Sequence, residues 1–171
     1  MAEFPPPSLR GIIEEVTGLL KEKQETISVA ETAAGGIISA SILSTAGASA
    51  IYKGGLTLYT LESRVAFGGW TEADITNYTG PTPAIVAGLA DHVRGTLKST
   101  YTVSESGTAG PTGGQTKART PGYVTLAVSS PSGTYTREVD TKTNDREKNM
   151  VLFAEEALKL VRDVIKGDAK L

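Results

Sequence analysis

The chain of 171 residues has no cysteine, a single histidine and no long apolar run. Without cysteine there can be no disulfide, zinc–thiolate site or thiol nucleophile, and a reducing compartment is compatible. The lone histidine, His92, lies in an amphipathic pattern that reads as a helix, where such a residue more often packs or faces solvent than binds a metal. One histidine and scattered carboxylates make no ligand set, so no metal and no cofactor is expected. No apolar run approaches the ~20 residues of a membrane span. The opening Met-Ala-Glu-Phe-Pro-Pro-Pro-Ser lacks the basic and apolar regions of a signal peptide. A net charge of -2 with no block of like charge leaves no electrostatic footprint for nucleic acid or an anionic membrane. The expectation is a cytoplasmic protein, with no nucleic-acid or membrane partner.

What is present fits one globular domain over 1–171, with residues 1–8 as a short proline-rich leader. Ser8 is a candidate N-cap for a first helix carrying Ile12, Ile13, Val16, Leu19 and Leu20 at helical spacing. Ile27 to Ala30 reads as a buried strand. It runs through Glu31-Thr32-Ala33-Ala34-Gly35-Gly36 into a helix opening at Ile37. Such a strand, turn and helix start can offer backbone N–H groups to a phosphate or carboxylate, although the glycines could equally serve tight packing.

The next stretch, Ser49 to Arg64, gathers a hydroxyl, a phenol and a cation around a strand expected from Gly54 to Tyr59. Thr71, with Asp74 three residues on, imitates a capping box. The repeat of Ile85, Leu89, Val93 and Leu97 predicts a helix from about Pro83 to Lys98. Tyr101 to Ser104 is the following strand, and it leads into the glycine-rich segment Ser106 to Gly114. That loop suits either an anion-binding concavity or a flexible excursion. Tyr123–Val128 and Thr134–Val139 predict an antiparallel hairpin, with Arg137 and Glu138 marking an edge strand. Asn144 or Asp145 caps a closing helix that ends at Lys166-Gly167. This order predicts an α/β fold, a three-layer α/β/α sandwich with a mixed parallel and antiparallel sheet. Ligands in such sheets sit beyond the carboxyl ends of parallel strands.

Three motifs in order, Glu31 to Gly36, Ala46 to Ala50 with Tyr59 and Arg64, and Ser106 to Gly114, resemble the CinA C-terminal family. The resemblance runs from about Leu9 to Ile165. It implies nicotinamide mononucleotide deamidase chemistry, in which a serine attacks the carboxamide carbon and the products are the acid and ammonia. Carried over by position, Ser49 matches the nucleophile, Tyr59 a supporting tyrosine and Arg146 an arginine near the ligand. Ser106 matches a small hydroxyl residue at the head of the glycine loop. Ligand contacts are implied for Thr32, Gly35 and Gly36 in the first motif, and for Gly107, Ala109 and Gly110 in the third. The implied partners are a small nucleotide ligand and further copies of the chain.

Two departures fall on the site. The family's first motif commonly reads Glu-Ser-Cys-Thr-Gly-Gly, where this chain has Thr32, Ala33 and Ala34. Arg64 stands where active members carry a lysine taken to be the base, and a guanidinium cannot accept a serine proton near neutral pH. Other acceptors would be Tyr59, if a cation lowers its pKa, and Glu31 or Glu62 through water. Taken singly, Ser49 reads as a turn residue, Tyr59 as a core-edge tyrosine and Arg64 as a surface cation pairing with Glu62 or Asp74. Two functions stand side by side: an amidohydrolase, or an inactive relative that binds a nucleotide-like ligand or serves as an interaction domain.

Overall fold

The structure is a computed structural model and describes residues 3–171. Five strands form one mixed sheet in the order β2-β1-β3-β4-β5. They are β1 (Ile27–Glu31), β2 (Tyr52–Thr57), β3 (Tyr101–Gly107), β4 (Tyr123–Ser130) and β5 (Gly133–Asp140). β1 pairs in parallel with both β2 and β3, while β4 is antiparallel to β3 and to β5. The helices are α1 (Arg10–Lys23), α2 (Ile37–Leu43), α3 (Leu61–Phe67), α4 (Glu72–Thr76), α5 (Pro83–Leu97) and α6 (Arg146–Lys166). α1, α2 and α6 pack together over one face, and α5 covers the other against β1, β3, β4 and β5. The α/β/α sandwich expected from the order of elements is therefore the fold.

Side-chain alternation assigns the layers. Ile27 and Val29 of β1, with Tyr101 and Val103 of β3, join the core beneath α1, α2 and α6. Ala30 of β1 turns to the opposite side, against Leu89 and Val93 of α5 and Leu58. Phe153 of α6 is fully buried and closes the main core against the end of β3, where a Cβ added to Gly107 would lie 2.8 Å from its ring. That glycine is required by packing. β5 is an edge strand, as its charges foretold, and β2 forms the other edge with alternating exposure.

Several boundaries differ from the sequence reading. Helix α1 enters through a short 3-10 turn at Pro7–Leu9, and Leu9 rather than Ser8 occupies its N-cap. Strand β2 begins at Tyr52 and stops at Thr57, because Thr60 caps α3 by accepting from Ser63 N–H and so ends the extended run. Helix α3 was not foreseen, since the stretch from Ser49 to Arg64 reads most simply as strand with flanks. Gly55 admits a close approach, but what approaches is the chain's own Ser39 hydroxyl and Tyr52 phenol. The Thr71 capping box on α4, the Asp145 cap on α6 and the left-handed Gly167 at its end all form as expected. Among the described residues no helix is long and apolar enough to cross a membrane.

Replacing Phe153 by Ala removes a fully buried ring, so its expected cost is about 3–5 kcal/mol in urea denaturation. Tyr59→Ala, at a side chain 61% exposed, is expected to change stability by less than about 1 kcal/mol.

Candidate functional site

The carboxyl ends of β1 and β3 carry the same dipeptide, a glutamate followed by a hydroxyl residue: Glu31-Thr32 and Glu105-Ser106. The parallel register sets Glu31 opposite Glu105, and both are fully buried on the α2 side of the sheet. Each carboxylate has a backbone task. Glu31 accepts from the N–H groups of Ile38 (3.1 Å) and Ser39 (3.0 Å), at the start of α2. Glu105 Oε2 accepts from Thr32 N–H (3.0 Å) and Ala34 N–H (2.9 Å), in the turn itself.

These bonds revise the expectation at Gly35 and Gly36. Both glycines have positive φ, and Gly36 is the N-cap of α2. Gly35 N–H donates to Thr32 O, and the donors at the helix start go to Glu31. The turn does bind a carboxylate, but the carboxylates belong to the protein. Glu31 is also excluded as a water-mediated base, because it is sealed and already capping a helix, while Glu62 is exposed in the first turn of α3.

Burial pushes the Glu105 carboxyl up to about 7, against the lowering effect of the Ala34 and Thr32 N–H groups; the Glu31 charge adds to the rise and Arg64 opposes it. Glu31 is also raised, chiefly by burial.

On the other side of the same strand ends lies a cleft of about 300 Å³ lined by Thr32, Tyr59, Thr60, Leu61, Arg64, Tyr78, Ser106 and Gly107. The Thr32 hydroxyl donates to Ser106 Oγ at 3.2 Å, a buried hydroxyl pair. Arg64 is only 4% exposed. Its Nε donates to Leu58 O at 3.3 Å, and its guanidinium stacks over the rings of Trp70 (5.0 Å) and Tyr78 (5.4 Å). Its Nη1 is buried with no partner. The surface ion pair with Glu62 or Asp74 does not form, since α3 turns Arg64 inward and Asp74 is engaged by Thr71.

Arg146, the first residue of α6, stands exposed at the rim, donating to Tyr59 Oη at 3.1 Å and to Gly110 O at 2.9 Å. Ala109 O accepts from the buried Asn149 amide. At these two positions the glycine loop therefore presents carbonyl oxygens to α6, Gly110 O to Arg146 and Ala109 O to Asn149. The loop is not a free excursion either, because Thr108 N–H bonds Tyr123 O and Gly122 N–H bonds Thr108 O.

Ser49 is not brought to this cleft. It sits in a short 3-10 turn before β2, near the amino ends of the parallel strands, where Lys21 donates to Ala46 O. Tyr59 follows the opposite end of β2. The strand's own rise separates the two ends by roughly 17 Å. The structure thus joins Thr32, Tyr59, Arg64, Ser106 and Gly107, places Arg146 beside them and leaves Ser49 outside. Sequence reasoning missed Glu105, Trp70 and Tyr78. The repeated Glu-hydroxyl dipeptide was the available signal for the first; nothing local marked the two aromatic rings.

The family model of the CinA C-terminal domain matches residues 10–165. A "CinA-like protein" of Shewanella piezotolerans is 31% identical over 160 residues, covering 94% of this chain and 38% of that protein. Another from Frankia casuarinae is 31% identical over 94% of this chain and 36% of its own length. The chain thus spans less than two-fifths of the length of these relatives. Among solved structures, the competence/damage inducible protein CihA from Agrobacterium tumefaciens superposes with a TM-score of 0.86 at 21% identity, covering 97% of this chain and 99% of that one. A competence or damage-inducible protein from Enterobacter asburiae gives 0.82 at 19% identity, over 90% and 96%. At these identities the structural likeness speaks for the fold alone.

The raised carboxyls predict a stability that depends on pH. A folded-state value of about 7 against an ordinary 4.5 means that the folded chain holds this proton more tightly than the unfolded one. The contribution is complete below about pH 4.5 and is lost as pH rises through about 7, at most about 3 kcal/mol for Glu105. Urea midpoints should fall from pH 5 to pH 8. Glu105→Gln should flatten the decline without abolishing it, since Glu31 acts in the same direction; an unchanged slope would remove Glu105 as its source.

Proposed function

The chain belongs to the CinA C-terminal domain family, and from that premise we propose that its cleft binds a pyridine mononucleotide without hydrolysing the carboxamide by a lysine-activated route. One observation carries this reading: the position that would hold the base is a buried guanidinium, fixed by Leu58 O, Trp70 and Tyr78.

Hydrolysis of the amide would require a hydroxyl oxygen to attack the carbonyl carbon and a neighbouring group to take its proton. The cleft has the hydroxyls, Thr32 and Ser106, with Thr32 in the place of the serine of the family's first motif. It lacks an acceptor. A guanidinium carries only donors and cannot serve as the proton acceptor. Glu105 has a pKa suited to a base, yet alternation along β3 turns it to the face opposite Ser106, and its Oε2 is held by two backbone donors. Arg146, at the rim and steadied by Gly110 O, is the group that would meet a ligand phosphate.

Ammonia release from nicotinamide mononucleotide tests the proposal directly. The wild-type chain is expected to release none above background while gaining several degrees of thermal stability from the nucleotide. Arg64→Lys is expected to introduce release, and adding Thr32→Ala to that variant to abolish it, whereas Ser49→Ala leaves it unchanged. Release by the wild type that vanishes in Thr32→Ala would establish the amidohydrolase instead. Loss of release in Ser49→Ala would return the nucleophile to a residue outside the cleft.

A further inference from the structure

An arginine that is 4% exposed, with a buried Nη1 bonded to nothing, has an unmet demand for an acceptor. Its Nε reaches only a backbone carbonyl, and the two aromatic faces attract a cation without accepting N–H bonds in its plane. No carboxylate among the described residues pairs with Arg64; Glu105 feels its charge but spends Oε2 on Thr32 and Ala34. The same cleft holds the Thr32 and Ser106 hydroxyls, with Tyr59 and Tyr78 among its walls.

A carboxylate would give Arg64 a counter-charge and a charge-assisted acceptor, and a hydroxyl could donate to its second oxygen. A primary carboxamide would offer one neutral acceptor to the guanidinium. Its NH₂ group would bring N–H donors towards a cation that has only donors to give. Beside a guanidinium that is itself 4% exposed, this contrast in charge is less screened than it would be in open water.

We propose that the Arg64 cleft selects a flat, carboxylate-bearing ligand over the corresponding carboxamide. The site is thereby fitted to the acid that deamidation would yield, with Arg64 gripping the carboxylate and Arg146 meeting a phosphate at the rim. This deepens the pyridine-mononucleotide reading and rests on it for the identity of the ring and phosphate.

Titration calorimetry with nicotinate mononucleotide, nicotinamide mononucleotide and free nicotinate tests the inference, with Trp70, the chain's single tryptophan, as a fluorescent reporter beside the guanidinium. In the wild type the acid mononucleotide is expected to bind at least about tenfold more tightly than the amide, about 1.4 kcal/mol. In Arg64→Gln, with folding checked by circular dichroism, the ratio is expected to fall to within about twofold; in Arg146→Gln both ligands should weaken together and the ratio persist. Equal affinities, or a preference for the amide, in the wild type would overturn the inference while leaving the mononucleotide reading intact, and this comparison needs no variant. A preference that survives Arg64→Gln would also overturn it. Binding of free nicotinate with neither mononucleotide would keep the carboxylate site and sink the nucleotide reading; no binding by any of the three would sink both.

Discussion

Two buried carboxylates at the ends of neighbouring parallel strands hold this molecule's site together. Glu31 and Glu105 are set side by side by the β1–β3 register, and between them they accept from Thr32, Ala34, Ile38 and Ser39. A strand-to-helix turn leaves backbone donors pointing inward, and leaving such groups unpaired in a core costs more than their bonds return. Here both acceptors are internal. The cost is electrostatic: burial raises the pKa of both carboxyls, and the Glu31 charge adds to the rise at Glu105. In return the turn is rigid, and Thr32 enters the cleft from a fixed backbone, its hydroxyl resting on Ser106.

The pleat of β3 separates structure from chemistry by a single residue. Glu105 turns towards α2 and anchors the turn, while Ser106 turns towards the cleft. A carboxylate with a pKa near neutrality therefore lies one residue from a hydroxyl pair and still serves no evident acid–base purpose. Proximity in sequence along a strand places side chains on opposite sides, so the candidate base nearest in number is screened by the sheet itself. Ser49 is set apart by distance along the chain instead, in the turn before a strand whose far end reaches the cleft.

The sandwich was legible because the apolar periods of α1, α5 and α6 and the β-formers of β4 and β5 are long and regular. Residues such as Asp145 and Gly167 punctuate it locally. Helix α3 was not legible: seven residues with a polar cap give too little periodicity to outweigh the strand formers before it. The cleft was legible in part. Tyr59, Thr32 and Ser106 stood in motifs that the topology gathers, but the occupancy of the turn's donors depends on the register between β1 and β3, which pairs residues 74 apart in the chain. The inward turn of Arg64 depends on Trp70 and Tyr78, which become neighbours only after α3 and α4 have formed.

Arg64 brings a fixed cation to the wall of the cleft. A lysine can be driven neutral by burial and so can act as a base; a guanidinium keeps its charge and must be accommodated as a cation. The surroundings fit that demand, with two aromatic faces, one carbonyl and a hydroxyl-lined cleft in place of a paired carboxylate. Had a neighbouring glutamate paired with Arg64, the cation would be structural and the cleft neutral. Glu105 feels the Arg64 charge, but its Oε2 is spent on the turn, its Oε1 is buried without a partner, and no ion pair joins it to Arg64, which lines the cleft. The carboxylates that hold the turn and the cation that characterises the cleft are thus two consequences of one strand pairing, which assigns the protein's own anions to its backbone and leaves its buried guanidinium open to a ligand.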